Sequence, residues 1–200
     1  PTRPVPKGIL SATLLGNLVL PMRSLSLKTS FATAVILACS APAMAQEQIV
    51  KIGHSGPLSG PNTFAGRDND NGVRLAVEDL NARKITVGGK TLKFEVVSED
   101  DQCDARAGVA VAQKLVDSGV KYVMGPYCSG VAIPASRVYD GGGAMLSTVG
   151  TNPKVTQGGY KNLFRIVASD SQIGGSMAAY AANAMKLKKV GVVDDRTAFG

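Results

Sequence analysis

The stretch Lys121 to Ser136, KYVMGPYCSGVAIPAS, places the tightest constraint on the fold. Tyr122, Val123 and Met124 form an apolar run that stops at Gly125 and Pro126, as a short buried strand with an abrupt end does. Ser129 and Gly130 then read as N-cap and first turn of a helix continuing through Val131, Ala132 and Ile133, with Pro134 limiting its opening geometry. A strand that feeds a helix through small residues points unpaired backbone N–H groups at open space. Such a turn is suited to holding an anion, for instance a carboxylate.

The same rhythm runs through residues 46–200. Ile49 to His54 predicts a strand, ended by Ser55-Gly56-Pro57. The loop SGPLSGPNTFAG that follows is too long for a simple turn and carries Phe64 as an exposed aromatic. A helix is expected over about 67–83, with Val73, Ala76, Val77 and Leu80 on its buried face. Ile85 to Val97 reads as a hairpin turning at Gly88-Gly89. Asp104 should cap the next helix, which buries Val109, Ala112 and Val116 and ends at Gly119. The acids around Cys103 read as a helix N-terminus complementing the macrodipole, with a divalent-cation site as the alternative. Further strands are expected at Ala144 to Ser147, Leu163 to Val167 and Val190 to Val193. Before the last of these, Asp170 should cap a helix with Ile173, Met177 and Tyr180 on one face. This alternation implies an α/β fold with an open, mostly parallel sheet covered on both faces. Ligands bind outside the carboxyl ends of such strands, which directs attention to the loops holding Phe64, Ser129, Thr151 and Phe199.

The first 45 residues differ in kind. Met22 to Ala45 has the three parts of a secretory signal: basic Arg23 and Lys28, an apolar run from Phe31 to Cys39, and Ala43-Met44-Ala45 before Gln46. Cleavage is expected between Ala45 and Gln46. The apolar run is too short for a bilayer, which needs about 20 residues. A rival reading makes Cys39 the acylated residue of a lipoprotein box; Leu37 before Ala38 fits that box poorly. Residues 1–21, ahead of a plausible initiator Met22, read as upstream sequence from a mis-set start, the alternative being a longer signal or anchor using Gly8 to Leu20. The leader also explains the formal charge of +7: without its four basic residues, 18 of the 22 Lys and Arg remain against 15 acids. No basic stripe interleaved with aromatics remains, and Lys186, Lys188 and Lys189 read as a solvated helix end, so nucleic acid is not an expected partner. Once Cys39 leaves with the signal, Cys103 and Cys128 form an even pair in an oxidising compartment. Paired, they close a loop worth roughly 3.5 kcal/mol; the alternative is two buried free thiols. No His or third Cys stands near enough to suggest a metal site.

Catalytic signatures are missing from the residues. Gly89-Lys90-Thr91 imitates the end of a phosphate-binding loop, but Lys84 holds the required upstream glycine position, and the Gly125–Gly130 spacing puts Val131 where lysine belongs. No G-x-G-x-x-G opens a helix, and the single histidine, His54, reads as a satisfied structural residue. Without a nucleophile elbow or a second histidine, an enzyme is not expected, and no cofactor is implied.

Taken together, the leader, IVKIGHSGPLSGPNTFAG, the Gly72-Val73-Arg74-Leu75-Ala76 to Asn81 helix, SEDDQCD, KYVMGPYCSG followed by PAS, and STVGTNP resemble the periplasmic branched-chain amino-acid-binding proteins of ABC importers. The resemblance implies a type I periplasmic-binding-protein fold of two doubly wound, mostly parallel lobes joined by a hinge. It runs from about Ile49 to Gly200 and matches only the first half of such a protein. Residues 46–167 would then be lobe one and 168–200 the start of lobe two. It implies that the Ser129 backbone N–H and hydroxyl hold a ligand's α-carboxylate, that Thr151 assists and also meets the α-ammonium, and that the Val149 carbonyl accepts from that ammonium. Phe199 matches an aromatic that closes over the ligand, Tyr127 is a candidate lining residue, and Cys103 with Cys128 match a lobe-one disulfide. Where the family places an aromatic after SGP, this sequence has Ala65, with Phe64 one position earlier as its possible substitute. The function implied is a secreted, monomeric component that captures a small amino acid or related carboxylate and passes it to an ABC permease. An extracellular sensor domain and the first half of an α/β enzyme are the alternatives.

Overall fold

The computed structural model describes residues 46–200. The expected upstream extension, the signal peptide up to Ala45 and Cys39 lie outside the described residues.

Strand β1 (Glu47–Gly56) is the spine of the sheet. It pairs in parallel with β3 (Lys90–Asp100) along its whole length and with β4 (Tyr122–Met124) near its carboxyl end. Outward from β4 lie β5 (Met145–Thr148) and β6 (Leu163–Arg165), again parallel. Among the described strands only β2 (Thr86–Val87) is antiparallel, joined to β3 by Gly88 and Gly89 at φ +58 and +78, the left-handed pair that a two-residue hairpin turn requires. The order is therefore β2-β3-β1-β4-β5-β6. Because the chain leaves β1 for β3 on one side and later adds β4 on the other, the order in which strands are added reverses between β1 and β4. Open sheets of this kind present a crevice at that point.

Successive residues of β1 point to opposite faces. Gly53 faces helix α2 (Ala105–Asp117), where an added Cβ would stand 2.9 Å from Val120 and 3.4 Å from Leu115. Helices α2 and α3 (Ser129–Gly141) pack on each other and on this face, and the core between them holds Leu115, Val120, Val123, Ala135, Tyr139 and Leu146. The other face takes α1 (Thr63–Ala82). Asn81 docks that helix on β3 in both directions: its Nδ2 donates to the Phe94 carbonyl at 2.9 Å, and its Oδ1 accepts from the Phe94 N–H at 2.8 Å.

Helix ends follow local chemistry. Asp104 caps α2 by accepting from the Arg106 and Ala107 N–H groups. At its other end Gly119, at φ +80, donates to Val116 and the next N–H, of Val120, to Leu115, so two orphan carbonyls are satisfied while Leu115 and Val120 bury together. The N-cap of α3 is Cys128 rather than Ser129; the Cys128 carbonyl accepts from Val131 and Ala132, and this shifts Ser129 one place into the buried first turn.

Several expected boundaries move. Helix α1 begins at Thr63, not near residue 67, because the Asn62 carbonyl already accepts from Ala65 and Gly66. Gly66 permits this early start: a Cβ there would collide with the Pro57 carbonyl at 2.1 Å. On α1 Ala76 is exposed, and on α2 the fully buried stripe is Gly108, Val111, Ala112 and Leu115, with Val109 and Val116 at its margins. A one-turn helix α4 (Lys154–Gln157) follows the β5 loop. Ser169, not Asp170, caps α5 (Asp170–Ala179) through a reciprocal pair of bonds with Gln172. A π-helical turn, Tyr180–Ala184, extends α5. Val190 to Val193 forms no strand: Val192 and Val193 are almost wholly exposed, and no described strand lies beside them to pair with.

The α2–α3 contact is closest at Gly108, where a Cβ would fall 2.1 Å from Val131 Cγ1. Gly108→Ala is expected to lower stability by about 1–3 kcal/mol, the usual cost of overpacking, measured as a reduced urea midpoint with unchanged slope. An unaltered midpoint would show that the contact yields freely.

Candidate functional site

The loops at the carboxyl ends of the strands gather where the strand order reverses. They enclose a cleft of about 520 Å³, lined by Asn62 after β1, Cys103 after β3, Tyr127 to Gly130 after β4, and Val149 and Thr151 after β5, with Val167, Asp195 and Thr197 to Phe199 completing the wall. A volume of this size suits a small organic ligand.

Ser129 is 2 % exposed and sits in the first turn of α3, where backbone N–H groups have no intrahelical acceptor and the helix end is partly positive. Its Oγ accepts from the Asn152 N–H at 3.2 Å. In the loop after β5, the Thr151 Oγ1 is buried without a hydrogen-bond partner among the described residues. Thr148 fixes the loop that carries Thr151: its hydroxyl donates to the Pro126 carbonyl at 2.6 Å and accepts from Gly150 at 3.0 Å. Gly150 is pressed against α3, so that an added Cβ would stand 3.3 Å from Ala132 and 3.4 Å from Ser129. Donors from two loops thus converge on one side of the cleft, while Val149, Val167 and Phe199 supply apolar wall. The arrangement can hold a small anion with an apolar appendage.

The loops themselves are tied down from below. Cys103 and Cys128 form a disulfide with Cα atoms 5.5 Å apart, joining the loop after β3 to the loop after β4 across the reversal. Gln102 and Cys103 take left-handed φ values of +54 and +57, a conformation held by this bond and by Asp101, whose Oδ1 accepts from the Cys103 N–H at 3.0 Å. Asp101 is fully buried and also accepts from Ser55 Oγ at 2.8 Å. Burial pushes its carboxyl above the ordinary range, the bonds from Cys103 and Ser55 opposing and the neighbouring Asp100 adding. For Asp100 burial also pushes upward, but bonds from Ser59, Gln102 and Leu58 outweigh it and hold the carboxyl low. Of the acids around Cys103, Asp104 caps α2 and so sets a carboxylate at the positive end of its dipole, while Asp100 and Asp101 anchor the turns after β1 and β3. No group of three or more His, Cys, Asp or Glu is arranged to hold a metal ion among the described residues.

Five of the residues singled out in the sequence, Tyr127, Ser129, Val149, Thr151 and Phe199, line this one cleft. Phe64 stands apart from them, on the first turn of α1 with 75 % of its surface exposed, and Ala65 beside it is buried. Asn62 and Val167 line the cleft unheralded by the sequence, and so do Asp195 and Thr197. As the N-cap of α1, Asn62 makes no side-chain capping bond, which leaves its amide available.

His54 is buried but not satisfied. Neither ring nitrogen has a hydrogen-bond partner among the described residues, although Asp70 Oδ1 lies 3.4 Å from Nδ1. Burial pushes its pKa below the ordinary 6.5, with Asp70 pulling it up and Arg74 pushing it further down. Such a histidine binds its proton better in the unfolded chain. Its contribution to stability is thus complete above 6.5 and is lost as pH falls from 6.5 through the depressed value. The urea midpoint should drop between about pH 7 and about pH 5.5, and His54→Asn should flatten that drop. An identical pH dependence in the variant would exclude His54 as its source.

Comparison with known proteins adds the context. The family model described as periplasmic binding protein matches residues 49–200. The leucine-specific-binding protein of Salmonella typhimurium is 38% identical over 174 residues, covering 86% of this chain and 46% of that protein. The branched-chain amino acid transporter substrate binding protein of Streptococcus pneumoniae, solved with isoleucine, superimposes with a TM-score of 0.63 at 28% identity, covering 70% of this chain and 39% of that one. An ABC transporter substrate-binding protein from Desulfitobacterium hafniense, solved with Leu, gives 0.58 at 32% identity over 68% of this chain and 39% of its own. The chain spans about half the length of the curated relatives it matches. Among the described residues no helix is long and apolar enough to cross a membrane.

Proposed function

This chain belongs to the periplasmic binding protein family, and from that premise we propose that it is the ligand-capturing half of a solute-binding protein serving an ABC importer. In this reading residues 22–45 direct export and are removed after Ala45, residues 46–167 form lobe one, and residues 168–200 begin lobe two. The protein works in the periplasm and passes its ligand to membrane permease subunits.

The observation that carries the reading is the convergence of Ser129, Thr151 and the α3 N-terminus on one wall of a cleft whose other walls are largely apolar. An α-amino acid is a zwitterion, so removing it from water requires fixed dipoles of both signs. The N–H groups of the α3 first turn, with the Ser129 and Thr151 hydroxyls, take the carboxylate. The Val149 carbonyl takes the ammonium. Val167 and Phe199 cover an aliphatic or similarly small side chain. Binding to lobe one comes first, and the contacts from Phe199 then favour the closed state, with no covalent chemistry involved. Several relatives are named for leucine or for leucine, isoleucine and valine, which supports a branched-chain or related amino acid.

The reading is tested by a thermal-shift screen of the full-length protein against the twenty amino acids, short-chain amides and aromatic carboxylates. A ligand at about a hundred times its Kd stabilises by about 2.7 kcal/mol, which shows as a clear shift. Ser129→Ala is expected to weaken the best binder by roughly 1–3 kcal/mol. Unchanged affinity in that variant would rule out the carboxylate cradle, and an absence of shifts with every carboxylate would rule out the function.

A further inference from the structure

Asn152 touches both walls of the cleft. Its backbone N–H donates to Ser129 Oγ at 3.2 Å, on the wall assigned to the carboxylate. Its side-chain Oδ1 accepts from the Lys154 N–H at 2.9 Å, which orients the amide so that its NH2 group faces the opposite wall. There Nδ2 donates to the Ala198 carbonyl at 2.6 Å, bridging 46 residues of sequence. Gly130 lies alongside, with room for no more than a methyl contact, since a Cβ there would stand 3.6 Å from the Ala198 side chain.

Among the described residues, the segment carrying Phe199 is otherwise bonded only to itself. Arg196 N–H donates to Asp194, Thr197 N–H to Asp195, and the N–H groups of Phe199 and Gly200 to Thr197 Oγ1. Among the described residues, the Asn152 side chain makes the one hydrogen bond between residues 194–200 and the remainder of the fold. One residue therefore connects the hydroxyl that meets the ligand's anion to the segment that bears the covering aromatic.

We propose that Asn152 is a positioning residue for ligand capture: its amide latches the Asp194–Gly200 segment over the cleft and so slows release of the bound amino acid. This rests on the binding function argued above. The latch makes no contact that an open cleft requires, so it acts on escape rather than on entry.

The test compares Asn152→Asp with wild type in the full-length protein, using the tightest binder among the twenty amino acids, leucine tried first. Aspartate keeps the acceptor for Lys154 but replaces the donor with an oxygen facing the Ala198 carbonyl. A residue that only shaped the turn after β5 would tolerate this exchange. Dissociation is expected to be about tenfold faster, the scale of one lost hydrogen bond, with association and the melting temperature of the ligand-free protein unchanged. Asn152→Ser, which retains a hydroxyl too short to span the cleft, should release as fast as the aspartate variant. Equal dissociation rates in wild type and Asn152→Asp would overturn the latch alone. A wild-type protein that binds none of the twenty amino acids would overturn the function and the latch with it.

Discussion

At Gly108, α2 lacks the side chain that any other residue would interpose between itself and Val131 of α3. Gly53 of β1 makes the matching concession underneath, where Leu115 and Val120 of the α2 turn press on the strand backbone. These two contacts set the distance at which α2 and α3 lie on the sheet and on each other. Interiors packed to this density transmit displacement instead of absorbing it. The first turn of α3, with Ser129 and its free N–H groups, is consequently held at a fixed height above the carboxyl end of β4. The position of the cradle is a property of the core.

From that fixed turn, order spreads through polar groups that the core leaves at its upper rim. Asp100 gathers the N–H groups of Leu58 and Gln102 and the Ser59 hydroxyl, Asp101 gathers Ser55 and Cys103, and Thr148 clasps Pro126 and Gly150. Each joins two loops that are distant in sequence. Asp101 stays fully buried although burial disfavours its charge, which is tolerable because two donors meet its carboxyl oxygens. The disulfide adds a covalent tie in the same layer. Backbone donors held by such a layer need little rearrangement when an anion arrives, so less of the binding free energy goes into ordering them.

The legible parts of the sequence were those where a local signal and the tertiary outcome coincide. Tyr122 to Met124 stops at Gly125 because the strand does; Gly88 and Gly89 announce their turn; Asp104 caps whatever surrounds it. Where the outcome depended on distant atoms, the local signal was overruled. Thr63 starts α1 early because Gly66 can lie against Pro57, a contact made by the path of the loop between them and not by any helical periodicity. Val190 to Val193 has the composition of a strand, but a strand needs a neighbour, and none is at hand among the described residues. The cleft shows the same division. Ser129 and Thr151 follow strands and could be picked out from the loops alone, whereas Asn62 and Val167 join the cleft only through folding. Ala65 shows the limit from the other side: its departure from the family pattern was visible, yet the residue of that loop that lines the cleft is Asn62.

The glycines at 53, 66 and 108 divide the chain into positions of very different tolerance. At each of them even a methyl group meets a neighbour within 3 Å, so the framework admits little variation there. The residues that would distinguish one ligand from another sit on loops, partly open to water, at 62, 149, 167 and 199. Exchanges at such positions disturb few core contacts. On the proposed reading, a change from one small solute to another needs only a new lining for the cleft while the frame beneath stays as it is, so chemical preference would be the most readily altered property of the protein.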